Sequence, residues 1–166
     1  ARYGSSRFPG KPLAIVNGKP MIQRVYEQTV KAFPNACVAT DDERIYNAVK
    51  EFGGKVVMTS TSHNSGTDRC YEALKNYMQE SGETFDIVIN VQGDEPYIHP
   101  EQLMQLGGCF NDPSVELATL VKRVKDKREL FNQNSPKVIL DKDKNAIYFS
   151  RTPIPFPRDI DVTDEY

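Results

Sequence analysis

Residues 85–91, Phe-Asp-Ile-Val-Ile-Asn-Val, are the most apolar stretch of this 166-residue chain. Their β-branched run suits a central parallel strand packed on two faces. Such a strand needs parallel neighbours reached through crossover helices. The rest of the chain carries that alternation. After Pro20, which suits a first helical turn, Met21, Ile22, Val25, Tyr26 and Val30 recur at helical spacing. Residues 36–39 read as a strand, ended by Thr40-Asp41-Asp42 with good N-cap chemistry. Ile45, Ala48, Val49 and Phe52 then give a second helix its apolar face, and Gly53-Gly54 stops it. Residues 55–58 read as a strand. Thr67 or Asp68 is positioned to cap a third helix carrying Cys70, Tyr71, Leu74 and Tyr77. Pro100 opens a helix through Phe110. Residues 115–121, 137–140 and 146–149 read as strands, with 141–145 a polar turn and 122–127 a solvated strand end.

This order predicts an α/β fold: one domain over residues 1–166, a mostly parallel sheet with helices on both faces. The chain opens on loop chemistry, and from Pro153 onward it is rich in Pro and Asp. The expectation is that a first strand and a C-terminal portion lie outside these residues. In open sheets of this kind ligands bind beyond the carboxyl ends of the strands. The segments that follow strands are therefore the candidates for function.

Composition narrows the classes. With 21 Lys+Arg against 23 Asp+Glu there is no basic field to attract nucleic acid or a membrane surface. No apolar run approaches the roughly 18–20 residues of a membrane span. Three cysteines in no CxxC pair, with only two histidines, argue against a disulfide framework or a His/Cys metal cluster. A reduced, cytoplasmic protein is the expectation.

Three segments concentrate chemistry. Arg2-Tyr3-Gly4-Ser5-Ser6-Arg7-Phe8-Pro9-Gly10-Lys11-Pro12 packs cations, glycines and serines before a helix, a pattern that presents N–H groups and positive charge to a polyphosphate. It is neither a P-loop nor a dinucleotide fingerprint, since its glycine spacing differs and Pro12 stands where a Mg²⁺-binding hydroxyl belongs. Read alone, it is equally a solvated basic turn. Val91-Gln92-Gly93-Asp94-Glu95-Pro96 leaves the apolar run, where Asp94 can hold Mg²⁺ together with phosphate oxygens. His63-Asn64-Ser65-Gly66-Thr67-Asp68-Arg69 joins a strand to a helix, with small polar groups suited to a nucleoside or simply to a capped helix start. Arg151, after residues 147–149, can clamp a carboxylate or make a rim ion pair.

These motifs, with Ala39-Thr40-Asp41 and Tyr148-Phe149-Ser150-Arg151, resemble in order and spacing the 3-deoxy-manno-octulosonate cytidylyltransferases, the CMP-Kdo synthetases. The resemblance runs at least to Pro157. It implies a Rossmann-like nucleotidyltransferase fold, CTP and Kdo as substrates, Mg²⁺ as cofactor, and a homodimer when full length. The product would feed lipopolysaccharide assembly in the cytoplasm. By motif position, Arg2 and Lys11 would bind the triphosphate with Arg7 nearby, and these two with Asp94 would be the catalytic set. Asp94 would ligate the metal, Gln92 would face the sugar, Ser65, Gly66 and Arg69 would help hold the cytidine, and Arg151 would sit near the Kdo carboxylate. The family also carries a second magnesium-binding Asp in a C-terminal stretch that these residues lack. Two rival readings remain: another CTP-dependent enzyme for sugar acids, of the sialic acid type, or a non-catalytic nucleotide-binding fragment.

Overall fold

The computed structural model describes residues 1–4, 8–156 and 158. Arg7, expected near the triphosphate, lies outside them. The chain divides into two compact units, Ala1–Ala118 and Thr119–Tyr166.

The first unit starts with a 3-10 turn, Lys11–Leu13, and a small antiparallel hairpin, β1 (Ile15–Val16) and β2 (Lys19–Pro20). Its turn is Asn17-Gly18, both at positive φ (48° and 82°), as a tight hairpin requires. Arg24 donates to the carbonyls of Val16 and Asn17, which pins the hairpin to helix α1 (Met21–Ala32). Pro20 ends β2 and precedes the helix rather than standing within its first turn. β3 (Val38–Thr40) leads into α2 (Glu43–Glu51), whose N-cap is Asp42 accepting the Arg44 N–H. β4 (Val56–Met58) pairs parallel with β3, Val38 opposite Val56 and Thr40 opposite Met58. This pair is the strand–helix–strand crossover that the alternation called for. Ile22, Val38, Ile45 and Val49 form its buried core, flanked by Tyr26, Phe52 and Val56.

α3 (Gly66–Ser81) follows, capped by Ser65 rather than by Thr67 or Asp68. Ser65 Oγ accepts the Asp68 N–H at 3.1 Å and donates to the Asp68 carboxylate at 2.7 Å. Asp68 is thus the partner of the cap. α4 (Pro100–Gly108) starts at Pro100 as expected and packs on α1 through buried Leu103. A 3-10 turn, Cys109–Asn111, extends it.

Two expected strands are absent among the described residues. Residues 85–91 pair with no strand, and Ile87 and Val88 are 43% and 48% exposed. A strand exists only through a ladder, and here a cavity lies between this segment and β3. Residues 115–121 are likewise unpaired, and Leu117 is 91% exposed. These residues span the boundary between the two units.

The second unit holds α5 (Lys127–Phe131), capped by Asp126, and an antiparallel pair, β5 (Lys137–Leu140) and β6 (Ala146–Ser150). The basic stretch read as a strand end thus leads into a short helix. Asp141 organises the hairpin turn by accepting the N–H groups of Asp143 and Asn145. No helix among the described residues is long and apolar enough to cross a membrane.

Candidate active site

The first basic segment is closed at its neck. Gly10 N–H donates to Tyr3 O at 2.9 Å, so Arg2 and Lys11 stand on either side of the closure. Gly10 is needed there twice over. Its φ is +72°, and a Cβ would lie 3.1 Å from the Tyr3 ring. The same ring carries the Arg44 guanidinium, 3.3 Å from its centroid. Tyr3 therefore anchors the loop to α2.

The second segment meets the first. A Cβ on Gly93 would lie 3.4 Å from Ile22 Cδ1 and 3.7 Å from Ala1 Cβ. That close approach brings Asp94 beside the Arg2–Lys11 neck. Lys11 Nζ then donates to Asp94 Oδ2 at 2.7 Å.

The third segment meets the second from another side. A Cβ on Gly66 would lie 3.6 Å from Asn90 Nδ2 and 3.7 Å from Gln92 Nε2. The N-terminus of α3, with its positive dipole end, thus faces Asn90 and Gln92. Arg2, Ser65, Gly66, Arg69 and Gln92 line one cavity of about 760 Å³, within the range of small-molecule sites. Apolar side chains, Ile22, Val25 and Ile89 among them, complete its walls.

Arg69 occupies a different kind of position from the others. It is 3% exposed, and its guanidinium is engaged by protein. Nη2 donates to Asp41 Oδ2 at 2.6 Å, and Nη1 donates to Thr59 Oγ1 at 2.6 Å and Ser60 O at 3.2 Å. Asp41 follows β3 and Thr59 follows β4, so Arg69 ties the carboxyl ends of both strands to α3. Thr59 N–H and Oγ1 both reach Thr40 O, which closes the strand ends further.

Arg151 belongs to the second unit, where its guanidinium donates to Gln133 O at 2.9 Å. The buried Lys137 donates from Nζ to the carbonyls of Asn132, Ser135 and Arg151.

Among the described residues no group of three His, Cys, Asp or Glu side chains forms a ready metal cage. Asp94 nevertheless fits a magnesium ion. It is an exposed carboxylate already drawing a cation, Lys11, to its oxygen. Magnesium commonly takes only one or two protein carboxylates and completes its shell with phosphate and water oxygens.

The sequence motifs had not marked Asn90, Glu72 or the Asp41–Arg69 pairing. Asn90 sits within the apolar run, where its polar side chain was a signal.

The family model described as Cytidylyltransferase matches residues 1–165. A 3-deoxy-manno-octulosonate cytidylyltransferase of Parabacteroides distasonis is 59% identical over 95% of this chain, and one of Bacteroides thetaiotaomicron is 57% identical over 99%. The chain spans 63% and 65% of the length of these two relatives. An 8-amino-3,8-dideoxy-manno-octulosonate cytidylyltransferase of Shewanella frigidimarina is 51% identical over 100% of the chain and 67% of its own length. Among solved structures, CMP:2-keto-3-deoxy-manno-octonic acid synthetase complexed with CTP superposes with a TM-score of 0.82 at 43% identity, covering 99% of this chain and 67% of that one. The α/β architecture is thus that of a nucleotidyltransferase, and the chain belongs to the cytidylyltransferase family.

Proposed function

We propose that this chain carries the nucleotide site of an enzyme that activates 3-deoxy-manno-octulosonate with CTP, giving CMP-Kdo and pyrophosphate. The observation that carries the reading is the meeting of three segments: Arg2, Gln92, Gly93 and the N-terminus of α3 line one cavity, and the Lys11–Asp94 ion pair joins the first two segments. Cations, a carboxylate and helix N–H groups in one place suit a nucleoside triphosphate. The relatives named for this reaction, and the CTP-complexed structure, support the choice of nucleotide and of acid sugar.

In the reaction the anomeric hydroxyl oxygen of Kdo forms a bond to the α-phosphorus of CTP. The bond from that phosphorus to the α–β bridging oxygen breaks, pyrophosphate departs, and the hydroxyl proton is lost to solvent. The barrier is largely electrostatic, because two anions must meet and charge grows on the leaving group. Arg2 and Lys11 neutralise the β- and γ-phosphates, with Arg7 as a further cation in the same loop. For Lys11 this means leaving the Asp94 carboxylate for phosphate oxygens. Asp94, freed of Lys11, would hold Mg²⁺, which when bound would supply positive charge at the phosphates. Ser65 and Gly66 present the start of α3 to the cytidine. Arg69 serves the nucleoside indirectly, by holding the strand ends against α3. Gln92 faces the sugar, and the Kdo carboxylate is assigned to Arg151 by its motif position alone. A cytoplasmic homodimer completes the reading.

The 8-amino relative makes the amino analogue of Kdo a second acceptor to test. The experiment is pyrophosphate release by the full-length protein with CTP, Mg²⁺ and a panel of 2-keto sugar acids. Turnover with Kdo or its 8-amino analogue, and none with sialic acid, is expected. Equal turnover with UTP or GTP, or no pyrophosphate with any acid, would overturn the reading.

A further inference from the structure

The loop between β4 and α3 is held by the helix that it precedes. Glu72, one turn into α3 beyond Arg69, accepts the Ser60 N–H on its two carboxylate oxygens at 3.0 and 3.2 Å. The same carboxylate meets His63 Nε2. Arg69 takes Ser60 from the other side, donating to its carbonyl. Both backbone polar groups of Ser60 are therefore satisfied from α3. Ser60 Oγ in turn pairs with Ser62 Oγ at 2.7 Å and accepts the Ser62 N–H at 3.1 Å. His63 is the last anchored residue before the cap, with only Asn64 between it and Ser65.

Nothing apolar holds this loop. Ser60, Thr61, Ser62 and Asn64 are all exposed and polar, so no buried side chain dictates their path. His63 and Glu72 are half-buried against it. We propose that His63 and Glu72 are positioning residues that clasp residues 60–63, so that Ser65 and Gly66 are already in place when the nucleotide arrives. The proposal rests on the CTP reading above. Its physical content is preorganisation: a loop ordered before binding does not charge its ordering entropy to the ligand. The His63 side chain and the Ser60 N–H also hold the Glu72 carboxyl below the usual carboxylate range, as a firmly hydrogen-bonded anion should be.

Neither His63 nor Glu72 lines the cavity, so the loss of the clasp should appear in nucleotide binding rather than in the chemical step. The test is CTP titration by calorimetry, with steady-state kinetics, on the full-length protein. Glu72→Ala is expected to raise both the CTP Kd and the CTP KM about tenfold. Its kcat should stay within about twofold of wild type, the pattern of lost uniform binding. Glu72→Gln keeps an oxygen for the Ser60 N–H and should restore most of the affinity. His63→Ala leaves the Ser60 contacts intact and is the variant to read where Glu72→Ala does not fold; it should raise Kd by about threefold. Unchanged CTP affinity in folded Glu72→Ala or in His63→Ala overturns the clasp. So does a parallel fall of kcat, affinity and thermal midpoint that Glu72→Gln fails to rescue, since that marks a purely structural contact. A wild-type protein that binds no CTP removes the nucleotide reading itself, and the clasp's role with it.

Discussion

Lys11 Nζ stands 2.7 Å from Asp94 Oδ2, joining positions 83 residues apart in the chain. The side chains are 37% and 50% exposed. An ion pair that open to water contributes about 0–1 kcal/mol to stability. Its place between a basic loop and an acidic turn is therefore better explained by ligand chemistry than by folding. On the proposed function, phosphate would draw Lys11 away and a divalent cation would take its place on Asp94.

Asp94→Asn and Lys11→Ala should then leave the urea midpoint nearly unchanged while damaging turnover. For Asp94→Asn, loss of metal-assisted charge stabilisation should lower kcat by at least about 10²-fold. Chelation of divalent metal should silence the wild-type enzyme in the same pyrophosphate assay. For Lys11→Ala, the CTP KM should rise and kcat should fall. A rise in KM alone would mean that Lys11 binds ground and transition states equally. Wild-type turnover in Asp94→Asn would take that residue out of the mechanism.

Arg69 and Asp41 make the contrasting pair. Their side chains are only 4% and 14% exposed, and they lock the ends of β3 and β4 to α3. Removing one partner leaves a charge with little access to water. Arg69→Ala should cost about 3–5 kcal/mol in urea unfolding, where the exposed Lys11–Asp94 pair costs almost nothing. Asp41→Asn should be milder, since the amide oxygen still accepts a guanidinium N–H. A stability loss in Arg69→Ala below about 1 kcal/mol would show that the strand ends hold without it.

The helices were legible because their signals are local. The apolar spacing of Ile22 and Val25, and of Ile45 and Val49, marks the faces that are buried, and Asp42 caps α2 as its position suggested. The α3 cap was displaced by two or three residues because Ser65, Thr67 and Asp68 are all good N-cap types. Only the reciprocal Ser65–Asp68 bonding decides among them. The Asn17-Gly18 hairpin carries a local turn signal, but strands of two residues each leave no alternation to flank it. Residues 85–91 fail as a strand for a reason no local pattern carries, because a ladder needs a neighbour. The candidate site was legible as three separate segments but not as one place. Their meeting depends on close approaches at Gly66 and Gly93, and on a buried Arg69 whose partners lie 28 and 10 residues away.

The cysteines offer a check on the packing of the first unit. Cys37 and Cys70 are half-buried along the cavity wall, whereas Cys109 is exposed beyond α4. Burial pushes the Cys37 thiol up to about 11 and raises that of Cys70 as well. The thiolate is the nucleophile, so at pH 8 Cys37 would hold roughly one thiolate in a thousand. Iodoacetamide should therefore label Cys109 first, as peptide mapping would read, with Cys37 and Cys70 following only on denaturation. Labelling of Cys37 at the rate of Cys109 would mean that the wall around it opens freely.

Gly10 gives the sharpest link between backbone geometry and the proposed chemistry. Its φ of +72° is one that L side chains rarely adopt, and a methyl there would press on the Tyr3 ring at 3.1 Å. Tyr3 cannot retreat easily, because the Arg44 guanidinium is stacked on it. Gly10→Ala should thus strain the neck or break the Gly10 N–H to Tyr3 O bond, at a cost of about 1–3 kcal/mol. The strain falls between Arg2 and Lys11, so the two cations should lose their common aim at the phosphates. CTP binding should weaken and kcat should fall together, while the core around Ile45 and Val49 stays folded. Tyr3→Ala relieves the steric part but leaves the positive φ. The double variant Tyr3→Ala/Gly10→Ala should therefore recover part of the stability and little of the turnover. Urea unfolding and pyrophosphate release on the same four proteins decide it. Full activity in Gly10→Ala would mean that the neck does not set where Arg2 and Lys11 stand.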